Sequence, residues 1–268
     1  MRVKPTIPVL NRAHARARGL IGAWPLYERG GSLARDLLKR ANGTINNATW
    51  VTGAPGPALD FNGSSAWVSI PYSAALNPPS LAASVWFRTT TAGTAGGGRV
   101  LFALAGGAGF NVFGMAISRT VVGAGVVEWG VNTTDDTFWT VNTGSDLYND
   151  GKWHLAVGTL DDGTKTLYLY VDGKRYGSTT WAGTRYAPSG HALGLGTFNY
   201  SGGQVWYFTG QIGDFVLCAS SASALAALYS DPWALYRPAR GRIGKAPAGF
   251  YSRYYYDMAG GGSACSRT

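Results

Sequence analysis

The sequence from residue 153 reads Trp153-His-Leu-Ala-Val-Gly-Thr-Leu160, Asp161-Asp-Gly163, Thr-Lys, Thr166-Leu-Tyr-Leu-Tyr-Val171, Asp172-Gly173 and Lys174-Arg-Tyr176. Apolar residues alternate within each run, and the runs are separated by Asp-Gly. Glycine adopts a positive φ without strain, so Asp-Gly between such runs favours a tight hairpin turn. The stretch therefore predicts a meander of three antiparallel strands.

Several short β-rich runs precede this meander. They are Ala66–Ile70, Ala82–Thr90, Val100–Leu104, Val112–Ser118, Gly125–Val131 and Phe138–Thr143. A further strand pair is predicted at Ala192–Thr197 and Val205–Cys218, where Gly210 and Gly213 mark bends or bulges. Strands recurring about every 8–12 residues predict an all-β sandwich of two antiparallel sheets.

One short C-terminal helix is predicted at Ala222–Tyr229, with Ser220 or Ser221 as the N-cap and Asp231-Pro232 ending it. The sequence contains 39 glycines and only 14% charged residues. This composition is consistent with short strands joined by tight turns. Four tryptophans are predicted in the core: Trp24, Trp67, Trp86 and Trp153. The distant cysteines Cys218 and Cys265 predict free thiols.

Positive charge is concentrated at the two ends of the chain. The net charge is +9, yet residues 19–236 carry 12 Lys or Arg against 13 Asp or Glu. Residues 1–18 form a basic arm, and residues 237–268 form a basic tail rich in Tyr and Gly. Arg and Tyr are enriched where proteins meet, so both ends are predicted to order on contact with neighbouring subunits. The predicted contact residues are Arg2, Lys4, Arg12, Arg16, Arg18, Arg237, Arg240, Arg242, Lys245, Tyr254, Tyr255 and Tyr256.

The ordered series of motifs from residue 19 to 236 resembles the laminin-G-like, concanavalin A-like superfamily. Gly19–Trp24 resembles its first strand, and Gly53–Gly63 its Gly-rich segment ending in Leu-x-Phe-x-Gly. Lys152-Trp153-His154 with Leu167–Gly173 resembles its Trp-His and Leu-Tyr-Val-Asp-Gly hairpin, and Phe208–Phe215 its closing strand. The resemblance implies a jelly-roll domain over residues 19–236.

The segment Tyr229–Pro238 resembles the C-terminal ends of such domains in bacteriophage proteins. This likeness implies a virion structural protein, as a capsid decoration, head-fibre or tail component, made in the host cytoplasm. Its expected partners are capsid or tail subunits and further copies of itself. Nucleic acid is not an expected partner, because no nucleic-acid module accompanies the charge. No membrane partner is expected, because the sequence holds no apolar run of about 18 residues and no apolar leader.

The alternative function is a lectin-like module that recognises host-surface glycans. Tryptophan and tyrosine rings combine an apolar face with a polar group, as sugar binding requires. The candidate glycan-stacking residues are Trp139, Trp181, Tyr186, Tyr200 and Trp206.

Enzymatic function is not predicted. A glycosidase needs two carboxylates flanking the scissile bond. The two glutamates, Glu28 and Glu128, do not stand in the Glu-x-Asp-x-x-Glu pattern of laminarinase-like relatives. The three histidines lack metal-ligand spacing, and no cofactor or metal site is predicted. Calcium is left open, with Asp60 and Asp214 as conceivable contributors.

Overall fold

The computed structural model describes residues 8–11, 17, 19–52, 56–93, 99–106, 111–117, 124–200, 203–219 and 233–236. In chain order the strands are β1 (Leu20–Trp24), β2 (Leu33–Ala34), β3 (Gly43–Asn46), β4 (Thr49–Val51), β5 (Ala58–Asn62), β6 (Trp67–Ile70), β7 (Ser80–Arg88), β8 (Arg99–Ala105), β9 (Asn111–Ile117), β10 (Val127–Asn132), β11 (Phe138–Asn142), β12 (His154–Asp161), β13 (Thr166–Val171), β14 (Lys174–Thr180), β15 (Leu193–Leu195), β16 (Phe198–Tyr200), β17 (Gly203–Val205) and β18 (Thr209–Cys218). Short 3₁₀ turns lie at Ala74–Leu76 and Ala234–Tyr236.

The strands form two large antiparallel sheets and one small hairpin. Sheet A has the order β14-β13-β12-β7-β18-β5-β4, with β1 also paired to β18. Sheet B has the order β11-β10-β9-β8-β15-β6-β3-β2, and β16 pairs with β17. The predicted all-β, two-sheet antiparallel sandwich is confirmed.

The predicted meander is also confirmed, as β12, β13 and β14. Asp172 and Gly173 both have positive φ, at 47° and 85°, which is the conformation of a two-residue hairpin turn. The bulge predicted at Gly213 is present, since the pairing of β18 with β7 shifts register between Ile212 and Asp214. The turn and the bulge each depend on a few adjacent residues, so both can be predicted from the sequence.

The predicted pairing of Ala192–Thr197 with Val205–Cys218 is wrong. Strand β15 pairs with β6 and β8 in sheet B, whereas β18 pairs with β1, β5 and β7 in sheet A. Between them, β16 and β17 pair with each other over the outer face of sheet B, where Phe198 packs with Val100 and Ala103. The two runs are close in sequence, but each one completes a different sheet.

The main core lies between the sheets, around Trp129. Its indole nitrogen donates to the Thr159 carbonyl at 2.8 Å, and the ring lies against Gly158. Of the four tryptophans predicted in the core, Trp24 is buried there, but Trp67 and Trp153 are only half-buried. Trp86 is buried on the outer face of sheet A, because the inward positions of β7 belong to Val85 and Phe87.

A second apolar layer covers the outer face of sheet A. Trp233 stacks on Trp86, with ring centroids 5.5 Å apart, and the Tyr236 hydroxyl donates to Asp214 Oδ1 at 2.9 Å. Leu10 packs against the same layer, and the Asn11 amide donates to the Leu235 carbonyl at 2.8 Å. Part of the predicted N-terminal arm therefore lies on the sandwich, next to the last described turn of the chain.

Two predicted features fall outside the described residues. They are the helix at Ala222–Tyr229 and the tail from residue 237 to 268. Cys218 is a buried thiol in β18 that forms no disulfide among the described residues, as predicted, while Cys265 lies in the tail.

Candidate functional site

The predicted site residues fall into two groups. The assembly contacts lie outside the described residues: Arg2, Lys4, Arg12, Arg16, Arg18, Arg237, Arg240, Arg242, Lys245, Tyr254, Tyr255 and Tyr256. The candidate glycan-stacking residues lie on described backbone and are distributed over several surfaces.

Two of the five aromatic candidates contribute to the inter-sheet core. Trp181 is only 5% exposed, because most of its ring packs into the inter-sheet core, so little of the ring is available for stacking on a sugar. Trp139 is half-buried against the same core, and its indole nitrogen donates to Thr133 Oγ1 at 3.0 Å. Tyr200 pairs with Gly203 in the β16–β17 hairpin, and its side chain is outside the described set.

The two remaining candidates, Tyr186 and Trp206, are half-buried and line two different recesses. Tyr186 lines a recess of about 300 Å³ at one end of the sandwich, here called the rim recess. That volume lies at the lower end of the usual range of ligand pockets. The rim recess is lined by Asn77, Asp162, Lys165, Trp181 and the loop 183–188.

Three connections meet at the rim recess. Asn77 precedes β7, residues 162–165 join β12 to β13, and residues 181–188 follow β14. The Asp162 amide donates to the Pro79 carbonyl at 2.8 Å, and the Lys165 ammonium donates to the Gly183 carbonyl at 2.7 Å. Backbone and side-chain bonds thus fix the loops against one another before any ligand binds.

Arg185 organises the polar floor of the rim recess. Its Nε and Nη2 atoms donate to Asp162 Oδ1 and Oδ2, both at 2.6 Å, and its Nη1 donates to Asn77 Oδ1 at 2.9 Å. The Arg185 side chain is 6% exposed, whereas that of Asp162 is 40% exposed. The guanidinium is therefore an internal clamp that presents the carboxylate and the amide to the recess.

Tyr186 forms the aromatic wall of the rim recess. Its amide donates to the Asn132 carbonyl at 3.1 Å, and its hydroxyl donates to Asp136 Oδ1. The hydrogen bond to Asp136 raises the pKa of Tyr186 above its usual value. Hydrogen bonds at the backbone and at the hydroxyl therefore hold the ring at the edge of the rim recess.

The second recess lies on the outer face of sheet B and is much smaller, about 10 Å³. Its floor is made of small residues that include Ala103, Gly114 and Ala116, and its walls are Phe138 and Trp206. The Trp206 ring stacks on Phe198, with centroids 5.3 Å apart. This surface is called the sheet B recess.

Glu128 lies in the sheet B recess and is 1% exposed. It is the one acidic residue among the described residues that line this recess. Glu28 lies in the connection after β1, where its Oε1 accepts from the Arg35 amide at 2.7 Å. The two glutamates line different recesses, so they do not face each other across a shared cleft.

The residues considered for calcium have structural contacts. Asp60 is paired with Gln211 across β5 and β18, and Asp214 accepts from Tyr236 beneath the outer layer of sheet A. Within the described ranges, no group of three or more His, Cys, Asp or Glu side chains is placed to hold a metal ion. In the same ranges, no helix has the length and apolarity needed to span a bilayer.

Comparison with solved structures identifies other proteins that share this fold. The binding domain of Paraclostridial Mosquitocidal Protein 1 superimposes with a TM-score of 0.62 at 12% identity, over 79% of this chain and 52% of that domain. The botulinum neurotoxin serotype D binding domain gives 0.60 at 12% identity, over 81% and 53%. The chain spans about half the length of these two toxin domains.

A third similar structure matches over nearly its whole length. It is domain 4 of AbnA, a GH43 extracellular arabinanase from Geobacillus stearothermophilus, solved in complex with arabinotriose. The TM-score is 0.62 at 16% identity, over 78% of this chain and 98% of that domain. These identities establish a shared fold and nothing finer. No curated protein sequence matches the chain significantly.

Sequence comparison agrees with the architecture. The profile described as the concanavalin A-like lectin/glucanases superfamily, of the laminin G type, matches residues 62–224, from the end of β5 past the end of β18. That range is more than half of the chain and contains most strands of both sheets. The chain therefore belongs to the concanavalin A-like lectin/glucanases superfamily.

Proposed function

We propose that this protein is a carbohydrate-binding module without hydrolytic activity, and that the rim recess is its glycan site. The observation that carries the proposal is the Asp162–Arg185–Asn77 clamp beside the ring of Tyr186. Three loops converge there and fix the polar groups, so little ordering is needed on binding.

The chemistry of the rim recess matches that of a sugar. A pyranose or furanose ring offers hydroxyl groups that both donate and accept, together with an apolar C–H face. The carboxylate of Asp162 can accept from hydroxyls, while the amide of Asn77 and the ammonium of Lys165 can donate to them. The ring of Tyr186 can pack against the C–H face.

The similar structures support a binding role. Two of them are toxin binding domains, and the third is an arabinanase domain that was solved with arabinotriose. Arabinotriose is therefore the first probe to test, within a panel of neutral and acidic oligosaccharides. The panel matters because a shared fold does not determine which sugar is bound.

Isothermal titration of this panel against the full chain tests the proposal. We expect at least one oligosaccharide to bind, and Tyr186→Ala to weaken that binding. The matched control is Tyr168→Ala, because Tyr168 lies on β13 outside the rim recess, with the Arg175 guanidinium 4.8 Å from its ring. Equal losses in both variants, or none in either, would contradict the assignment of the site.

Attachment to capsid or tail subunits of a bacteriophage stays a prediction, as do the virion location and self-association. None of the similar structures named above is a virion protein. The residues predicted to make the attachment lie outside the described ranges. The glycan proposal rests on described side chains and is therefore the one favoured.

A further inference from the structure

A second cluster of charged side chains lies at the opposite end of the meander from the rim recess. His154, the first residue of β12, lies between two aspartates. Its Nδ1 is 2.6 Å from Asp172 Oδ2, and its Nε2 is 2.9 Å from Asp150 Oδ1. Asp150 belongs to the connection between β11 and β12, and Asp172 to the turn between β13 and β14. One imidazole thus joins two separate loops.

Both contacts are hydrogen bonds only when the imidazole carries two protons. A neutral imidazole has one N–H group and one lone pair, so it can donate to just one carboxylate. The other nitrogen would then face a carboxylate oxygen with lone pairs on both atoms. The observed geometry is that of an imidazolium shared by two carboxylates.

The charges around His154 favour the same state. The acidic groups of the cluster are Asp146, Asp150 and Asp172, and its basic groups are Lys152 and Lys174. Three carboxylates face two ammonium groups, so a protonated His154 makes the cluster neutral. Burial alone would lower the pKa of His154, but the hydrogen bonds and charges of Asp172 and Asp150 outweigh burial and raise it.

The remaining neighbours of His154 are aromatic. The Phe87 ring from β7 lies 5.7 Å away, and the Tyr148 ring packs edge-on at 4.8 Å. The Tyr148 hydroxyl contacts the Tyr176 hydroxyl, which donates to Asp146 Oδ2 at 2.5 Å. Burial and the Tyr176 contact raise the pKa of the Tyr148 hydroxyl, so it stays protonated while His154 titrates.

We propose that Asp150, His154 and Asp172 form a proton-dependent latch that fastens residues 144–152 to the β13–β14 turn at acidic pH and releases them at higher pH. The sign follows from linkage. A histidine whose pKa is raised in the folded state contributes its full stabilisation below the unfolded value, about 6.5. That contribution is lost as the pH rises through the higher, folded-state value.

Two backbone amides report directly on the latch. The Leu155 amide donates to Asp172 Oδ1 at 2.9 Å, and the Lys152 amide donates to Asp150 Oδ1 at 2.8 Å. When the latch opens, both amides lose a fixed acceptor. The Asp162 amide, which donates to the Pro79 carbonyl at 2.8 Å at the opposite end of the meander, is an internal control outside the released segment.

An NMR pH titration of the full chain tests the latch. We expect the His154 midpoint to lie above the usual histidine value of about 6.5, and Asp150→Asn to move it downward. Hydrogen exchange at Leu155 and Lys152, corrected for its intrinsic pH dependence, should accelerate above the midpoint more than exchange at Asp162. Asp150→Asn keeps the shape of the side chain, so this comparison does not depend on a His154 variant that folds. A His154 midpoint at or below about 6.5, or corrected exchange that stays flat across the midpoint, would overturn the proposal.

Discussion

Arg185 forms a bidentate salt bridge with Asp162, with Nε–Oδ1 and Nη2–Oδ2 distances of 2.6 Å. The two residues are 23 positions apart and belong to different connections at the same end of the sandwich. Because this pair fixes the floor of the rim recess, we expect it to affect both stability and the proposed glycan binding.

Replacing Arg185 tests that coupling. Arg185→Ala should lower the free energy of unfolding by about 2 kcal/mol, less than for a fully buried pair because 40% of the Asp162 side chain is exposed. Arg185→Lys retains the charge but cannot bond both oxygens in the same plane, so binding should fall even where stability recovers. Urea unfolding and titration calorimetry on both variants measure the two effects. If the lysine variant bound as tightly as the wild type, the bidentate clamp would have no role in binding.

The hydroxyl and the ring of Tyr186 should contribute separately. Tyr186→Phe removes only the hydrogen bond to Asp136 and should leave most of the affinity. Tyr186→Ala removes the ring and should weaken glycan binding about 2- to 10-fold. Comparing dissociation constants for the two variants separates stacking from positioning. A larger loss in the phenylalanine variant would show that the hydroxyl, rather than the ring, contacts the ligand.

Glu128→Gln should leave glycan binding unchanged, and we expect neither the wild type nor this variant to hydrolyse the oligosaccharides. Glu128 is the one acid among the described residues of the sheet B recess, whereas glycoside hydrolysis requires a pair. Reducing-end release from the oligosaccharide panel, measured for wild type and variant, checks this expectation. Activity in the wild type that disappears in the glutamine variant would identify a glycosidase and overturn the proposed function.

The outer layer of sheet A should contribute measurably to stability. Tyr236 is fully buried, and Tyr236→Phe deprives the buried Asp214 of one donor, at a cost of about 1–3 kcal/mol. The matched control is Tyr72→Phe, because Tyr72 is 36% exposed. Thermal unfolding of both variants gives the comparison. Equal transition temperatures would show that the segment 233–236 does not stabilise the sandwich.

The sequence predicts this fold wherever local chemistry decides the structure. Asp172-Gly173 specifies its hairpin turn, and Gly213 marks its bulge, because both depend on a few adjacent residues. The partners of β15 and β18 depend on packing between distant strands, and their predicted pairing failed for that reason. Trp86 gives a second example. Its burial was predicted from the sequence, but its position on the outer face of β7 was not.

The rim recess could be predicted only in part. Tyr186 was identified by residue type, but Arg185 and Asn77 are 108 positions apart and meet only in the folded chain. A signal was present, since an arginine in a loop without neighbouring acids needs a distant partner when it is buried. Trp181 offers little ring surface for stacking, because its position after β14 places most of the ring in the core.

The most direct measurement is a two-dimensional amide NMR titration of the full chain with whichever oligosaccharide of the panel binds. The account predicts that the shifted amides cluster at Asn77, Asp162 and residues 183–188, and that Tyr186→Ala removes the shifts. Shifts confined to the sheet B recess around Trp206, or none for any member of the panel, would contradict the assignment of the rim recess as the glycan site.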